Sequence, residues 1–181
     1  ELLFTHFGVS GPLVLDLSGT IVDLTKEFGE VLCFIDLKPG LSREQIESRL
    51  LAEIKKHGNM SLGNILKVWL PVKLVSVFID LLALDFRKKL NQVSQRERQA
   101  IANFLKEFRL TINGSLPLEE AMVTRGGIST KEINPRTMES RVLPRIYFAG
   151  EIIDASASSG GYNLQQAFST GYLAGDSASH G

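Results

Sequence analysis

Ile146-Tyr147-Phe148-Ala149-Gly150-Glu151-Ile152-Ile153-Asp154, then Ala155 to Ser159, then Gly160-Gly161-Tyr162-Asn163-Leu164-Gln165-Gln166-Ala167-Phe168, is the stretch on which the fold turns. It reads as a short strand from Arg145 to Ala149, an acidic turn, a loop of small residues, a glycine pair and a helix. The helix carries Leu164, Ala167, Phe168, Gly171 and Gly175 on one stripe, and the small members let that stripe lie close against another backbone. A helix start presents unpaired N–H groups and about half a positive charge. Glycines ahead of it let a ligand approach the backbone closely. Such an end suits a phosphate, or the N1–C2=O edge of a flavin. Glu151, at the strand end, is placed to accept from sugar or ribityl hydroxyls. Taken alone, the pattern describes equally well a tight turn before a packed helix.

Working outward, residues 109 to 148 read as strands and turns. Leu110 and Ile112 alternate into the turn signal Asn113-Gly114, and the glycine pair Gly126-Gly127 sits inside Val123 to Thr130. Residues 42 to 108 are helical in pattern. Ser42 with Gln45 and Ser94 with Glu97 each form a capping-box signature. Apolar stripes follow at helical spacing: Ile46, Leu50 and Ile54; Leu62, Ile65, Leu66, Trp69 and Leu70; Leu74, Val75, Phe78, Ile79 and Leu82; Ile101, Phe104, Leu105 and Phe108. His57-Gly58-Asn59 ends the first of these helices, Pro71 separates the second from the third, and a polar connector runs from Asp85 to Val93. These stripes bury against each other or a sheet, so the spacing predicts a compact helical subdomain. Residues 1 to 40 read mostly as strands and turns. Leu13 to Ser18 is either a strand or a short helix capped by Ser10 with Pro12 in its first turn, and Gly29 to Leu37 is a strand with Val31, Cys33 and Ile35 on one face.

The 181 residues suit one ordinary domain or two small ones, and 44% hydrophobic content supports a real core. Twenty Lys and Arg balance twenty Asp and Glu, and this neutrality argues against a dedicated nucleic-acid binder while leaving room for a local basic patch. The single cysteine, Cys33, excludes an internal disulfide and reads as a small buried hydrophobe. The histidines His6, His57 and His180 form no cluster with ligand spacing, so no metal site is expected. No apolar run approaches the ~20 residues that span a bilayer, and the start lacks a signal-peptide pattern. The chain begins at Glu1 in an apolar run and reads as an excised piece of a longer, cytoplasmic protein.

The quoted stretch belongs to a larger set of motifs. They are Val123-Thr124-Arg125-Gly126-Gly127-Ile128, Thr137-Met138-Glu139-Ser140, Tyr147-Phe148-Ala149-Gly150-Glu151, Asp154, and Gly160-Gly161-Tyr162-Asn163-Leu164-Gln165. The opening Leu3-Phe4-Thr5-His6-Phe7-Gly8-Val9-Ser10-Gly11-Pro12 joins them. In this order they resemble the aminoacetone-oxidase-like, or BaiN-like, family of bacterial FAD-dependent oxidoreductases.

The resemblance implies an α+β chain. Residues 1–41 and 109–140 would form a β-barrel-like subdomain, 42–108 an inserted helical subdomain, and 141–181 the C-terminal strand-loop-helix of an incomplete Rossmann-type FAD domain. It implies that Gly150 and Glu151 contact the ribityl-pyrophosphate part of FAD, with Asp154 and Gly160 nearby. Gly161, Tyr162, Asn163 and Leu164 would face the pyrimidine edge of the isoalloxazine, with Thr124, Gly126 and Gly127 close to the ring. The parent protein would be an enzyme using FAD, with NAD(P)H as donor and an unknown small-molecule substrate. No G-x-G-x-x-G follows a strand here, so these residues by themselves are expected to hold FAD weakly or not at all. No side chain is assigned a catalytic role, because in a flavoenzyme the flavin carries the redox chemistry. The alternative is a non-catalytic interaction module whose helical subdomain docks a protein or RNA partner.

Overall fold

A computed structural model describes residues 1–180. The chain divides into two compact units, Glu1–Val31 with Asn113–Gly181, and Leu32–Ile112.

Leu32–Ile112 is built on helices whose boundaries the sequence dictates. Helix α2, Arg43–His57, starts at Ser42 with both halves of the capping box formed, and α5, Gln95–Lys106, starts at Ser94 in the same way with Glu97. Between them lie α3, Leu62–Trp69, and α4, Val72–Leu81. Pro71 separates these two, since a residue ahead of proline is pushed out of the helical region, and Leu70 takes the extended backbone. Their inward stripes form one core around Ile46, Leu50, Leu62, Leu66, Phe78, Ile101 and Leu105, all at most 2% exposed. Phe78 meets Phe104 edge-to-face with ring centroids 4.9 Å apart. Each such side chain contributes about 1.5–3 kcal/mol by leaving water. The connector after α4 is less polar than its sequence suggests. A short 3₁₀ turn, Leu90–Gln92, buries Leu90, and Phe86 lies so close over Gly63 that a Cβ there would stand 2.1 Å from the ring.

Strands β3, Val31–Ile35, and β4, Phe108–Ile112, pair with each other. Along β3 the inward positions are Val31, Cys33 and Ile35, as alternation requires.

In the other unit, β1, Leu3–Phe4, pairs antiparallel with β2, Val9–Ser10. The ambiguous segment that follows is a helix and not a strand, and at 17 residues α1, Pro12–Phe28, is longer than the short helix expected. Its cap is Gly11 at φ 98°, not Ser10; Pro12 stands in the first turn, and Gly29 at φ 81° ends it. Among the described residues the strands make two two-stranded sheets and no closed barrel, so the fold is mixed α/β with small sheets.

The strand expected from Arg145 to Ala149 does not form. Ser140 N–H donates to Ile146 at 2.7 Å and Phe148 N–H to Met138 at 3.0 Å, which leaves an isolated bridge between Glu139 and Tyr147. Arg145 at φ 66° and Met138 at φ 61° bend the backbone out of the extended region at the ends of this ladder. Gly150–Ile152 is then a 3₁₀ turn, and α6, Tyr162–His180, closes the described chain. A small second core holds Ile133, Met138, Ile153 and Ala174. No helix of the described residues is long and apolar enough to cross a membrane.

Candidate functional site

Three of the segments singled out by sequence meet in the unit of α1 and α6. The first contact is an acidic turn held by a threonine. Thr124 donates from its backbone N–H and its hydroxyl, both at 2.9 Å, to Oε1 of Glu151. The Thr124 backbone donor, then its hydroxyl, hold the Glu151 carboxyl below its ordinary value against slight desolvation. Glu151 is therefore an anion at neutral pH, with Oε2 left for a further donor.

The second contact is backbone to backbone. Ile128 N–H donates to Ile152 at 2.7 Å and Asp154 N–H to Ile128 at 2.8 Å, a parallel bridge of Ile128 with Ile153. This pairing is possible only because residue 127 has no side chain. Gly127 takes φ 131°, and a Cβ on it would stand 2.1 Å from the Ile152 carbonyl oxygen.

The third contact fastens the turn to α6. Gly150 N–H donates to Thr170 Oγ1 at 3.0 Å, and Gly150 lies 3.9 Å, measured from an ideal Cβ, from Ala167. Asn163 brackets the small-residue loop: its Oδ1 accepts from Ala157 N–H and its Nδ2 donates to Ala157 C=O, both at 2.8 Å. Gln166 adds a bond to the Ala155 carbonyl at 3.3 Å.

Helix α1 braces the same loops. Asp16 accepts from Ser159 N–H at 2.6 Å, and Asp23 pairs with Arg125. The Arg125 guanidinium lies against α1 where Gly19 has no side chain, 3.2 Å from the ideal Cβ position. Arg125 holds the Asp23 carboxyl below its usual range, chiefly through the hydrogen bond.

The result is an open surface. Gly126, Gly160 and Gly161 take φ of 106°, 115° and 90°, and no atom stands within 4 Å of a Cβ built on Gly126 or Gly161. Tyr162 and Leu164 are exposed, as are Thr124 and Asp154. The structure thus brings Thr124, Gly126, Gly127, Gly150, Glu151 and Asp154 together, with Gly160, Gly161, Tyr162, Asn163 and Leu164 along the loop that opens α6. The Asn163 amide is already engaged by Ala157, so what this position offers a ligand is its backbone N–H. The inward face of α6 is Ala167, Thr170 and Ala174, whereas Gly171 and Gly175 have open space around them.

Sequence reasoning missed Asp16, Asp23 and Thr170. Nothing near Asp16 or Asp23 announces a loop more than a hundred residues away. Thr170 follows Gln166 by four residues, the spacing at which a helical threonine bonds back to a carbonyl, as it does at 2.7 Å.

No histidine joins these loops: His6 lies against Phe7, His57 faces Glu53 at 3.9 Å, and His180 bonds within the last turn of α6. Among the described residues no His, Cys, Asp and Glu group has the arrangement of a metal site.

Glycine loops tied to an acidic turn and a helix start make an open surface whose polar groups are largely backbone amides. The chain carrying it belongs to the HI0933-like protein barrel and H2TH domain family, which matches residues 1–123. It is 38% identical over 172 residues to a ribosomal RNA dihydrouridine synthase of Escherichia coli, and 33% over 172 residues to one of Haemophilus influenzae. It is 29% identical over 178 residues to a 3-dehydro-bile acid delta(4,6)-reductase of Clostridium scindens. These alignments cover 95–98% of this chain, and so include the loops described above, but the chain spans only 40–44% of the length of these curated relatives.

Proposed function

We propose that the protein carrying this chain is a flavin-dependent reductase that saturates a carbon–carbon double bond conjugated to a carbonyl, and that this chain supplies the redox-ring side of its flavin site. The observation that carries the reading is the tie between Thr124 and Glu151. It sets one glycine loop beside the acidic turn that leads into α6. The residues fit a flat, hydrogen-bonding ligand, because Gly126 and Gly161 leave the backbone uncovered.

Glu151 Oε2, which Thr124 leaves free, would accept from hydroxyls of the ribityl chain. The amides of Tyr162, Asn163 and Leu164, which no preceding turn can satisfy, would donate to the edge of the ring where negative charge collects. When bound, a flavin supplies two-electron hydride chemistry. The net change is one hydride and one proton added across the double bond, at the expense of NAD(P)H.

The names of the relatives support this class. A dihydrouridine synthase and a delta(4,6)-reductase both remove unsaturation next to a carbonyl. The two relatives named for ribosomal RNA are the more similar in sequence, so a uracil base within RNA is the substrate class we favour.

The test is to purify the full-length protein, measure bound flavin, and incubate it with NAD(P)H and deproteinised ribosomal RNA. Yellow protein and nucleosides heavier by two hydrogen atoms are expected. A colourless protein that takes up no flavin when offered FAD or FMN overturns the reading.

A further inference from the structure

The net charge of zero is the sum of two opposites. Leu32–Ile112 holds 14 Lys and Arg against 8 Asp and Glu, a net of +6, and the remaining residues hold 6 against 12, a net of −6. Neutrality of the whole therefore carries no weight against an anionic partner for the helical unit.

Part of the excess is carried by side chains that pair with no carboxylate. On the helical unit Arg43 pairs with Glu107, Lys88 with Glu97, and Lys106 with Asp36. At the corner between α2 and α3 the pattern changes. Lys55 and Lys56 stand in the last turn of α2. The segment Phe86–Asn91 runs antiparallel beside Gly58–Gly63, with Ser61 opposite Lys89. Four backbone bonds hold it there: Leu62 N–H to Lys88 at 2.8 Å, Gly63 N–H to Phe86 at 3.1 Å, Leu90 N–H to Met60 at 3.0 Å, and Asn91 N–H to Gly58 at 3.0 Å.

Lys89 is thereby fixed opposite Ser61, in the turn between α2 and α3, and Arg87 beside the first residues of α3. Lys55, Lys56, Arg87 and Lys89 are all exposed, and none makes an ion pair among the described residues. Lys67 adds its ammonium over the Phe86 ring, 5.1 Å from the centroid. Fewer carboxylates stand near this corner: Asp85 accepts from the Arg87 N–H at 2.8 Å, Glu53 faces His57 at 3.9 Å, and Glu97 accepts from Lys88. After Lys56 the surface dips into an open depression lined by Lys56, His57, Gly58, Asn59 and Met60.

We propose that this α2–α3 corner is a contact surface for the phosphate backbone of RNA. It rests on the reading that the reducible base is carried by RNA, and it names where that RNA is held. Unpaired cations on a fixed backbone, without an exposed aromatic stacking row, position a nucleic acid and do not read its sequence.

The experiment measures binding of a labelled RNA hairpin to the full-length protein over a salt series, without reductant. Lys56→Gln/Arg87→Gln/Lys89→Gln is expected to weaken binding by roughly tenfold or more near 0.1 M salt and to flatten the log–log salt slope by about 2, since each lost phosphate contact removes about 0.7–0.9. Lys56→Arg/Lys89→Arg is expected to bind as the parent does, and so is Lys131→Gln/Arg136→Gln in the acidic unit. Thermal midpoints check that each variant folds.

Unchanged affinity and slope in the triple variant overturn the proposal. So does a parent that binds no RNA, or one in which the substitutions affect only binding to phosphatidylglycerol vesicles. Flavin content is measured on the same samples: unchanged RNA binding by the triple variant of a flavin-loaded protein sinks this surface alone, and a parent that binds RNA but takes up no flavin sinks only the redox reading.

Discussion

Two adjacent glycines, 126 and 127, have different reasons to be glycine. Both take a positive φ that side chains rarely adopt, but Gly126 faces open space while a Cβ on Gly127 would press into the Ile152 carbonyl. Gly126→Ala meets only the conformational penalty, about 1–2 kcal/mol. Gly127→Ala meets that penalty and must also push apart the Ile128–Ile153 pairing. The expected outcome is faster hydrogen exchange at the Ile128 and Asp154 amides in Gly127→Ala, a much smaller change in Gly126→Ala, and no change in the helical unit. Equal protection in all three proteins would contradict the packing described. The sequence shows two glycines and cannot rank them, because the obstacle at Gly127 comes from a carbonyl 25 residues further on.

At the scale of elements, what was legible was what local chemistry decides. Both capping boxes form where Ser42 and Ser94 stand three residues before Gln45 and Glu97, and Pro71 breaks α3 from α4. The misread elements depended on distant partners. Leu13 to Ser18 was ambiguous because its apolar pattern suits strand and helix alike, and α1 buries none of its residues to disclose a face. Residues 145–149 look like a strand, but a strand needs a ladder, and Arg145 and Met138 turn theirs away. The capping box of α5 also carries a prediction about pH. Lys88, 2.6 Å from Glu97, lowers the Glu97 carboxyl below its usual value; partial burial opposes it, and Ser94 assists. A lowered folded value means stability that is present above the unfolded glutamate value, about 4.3, and is lost as pH falls through the folded value. Glu97→Gln keeps the box geometry, as Gln45 does in α2, but loses the ion pair. The urea midpoint of the helical unit is expected to drop by the equivalent of at most about 1 kcal/mol at pH 7, and to depend less on pH below 5 than in the parent. Identical pH profiles would contradict the role given to the pair.

At the scale of the whole molecule, composition misled by averaging. A net charge of zero concealed units of +6 and −6, which only the division of the chain separates. The units also differ in how much they bury. The helical unit has a continuous core, whereas the other has four buried apolar residues and leaves Leu164, Phe168 and Tyr172 of α6 between 66% and 79% exposed. The loops of the candidate site were legible as motifs, but their closeness in space was not, because it comes from the Thr124–Glu151 and Gly150–Thr170 bonds. The reading that matters most is that the amino end of α6 faces a flavin. Hydrogen exchange of the full-length protein with and without bound flavin tests it residue by residue. Slower exchange is expected at the amides of Thr124 to Gly127 and Tyr162 to Leu164, with residues 43–106 unchanged. Flavin binding that leaves those amides exchanging at their free rate, while protecting other segments, would contradict it.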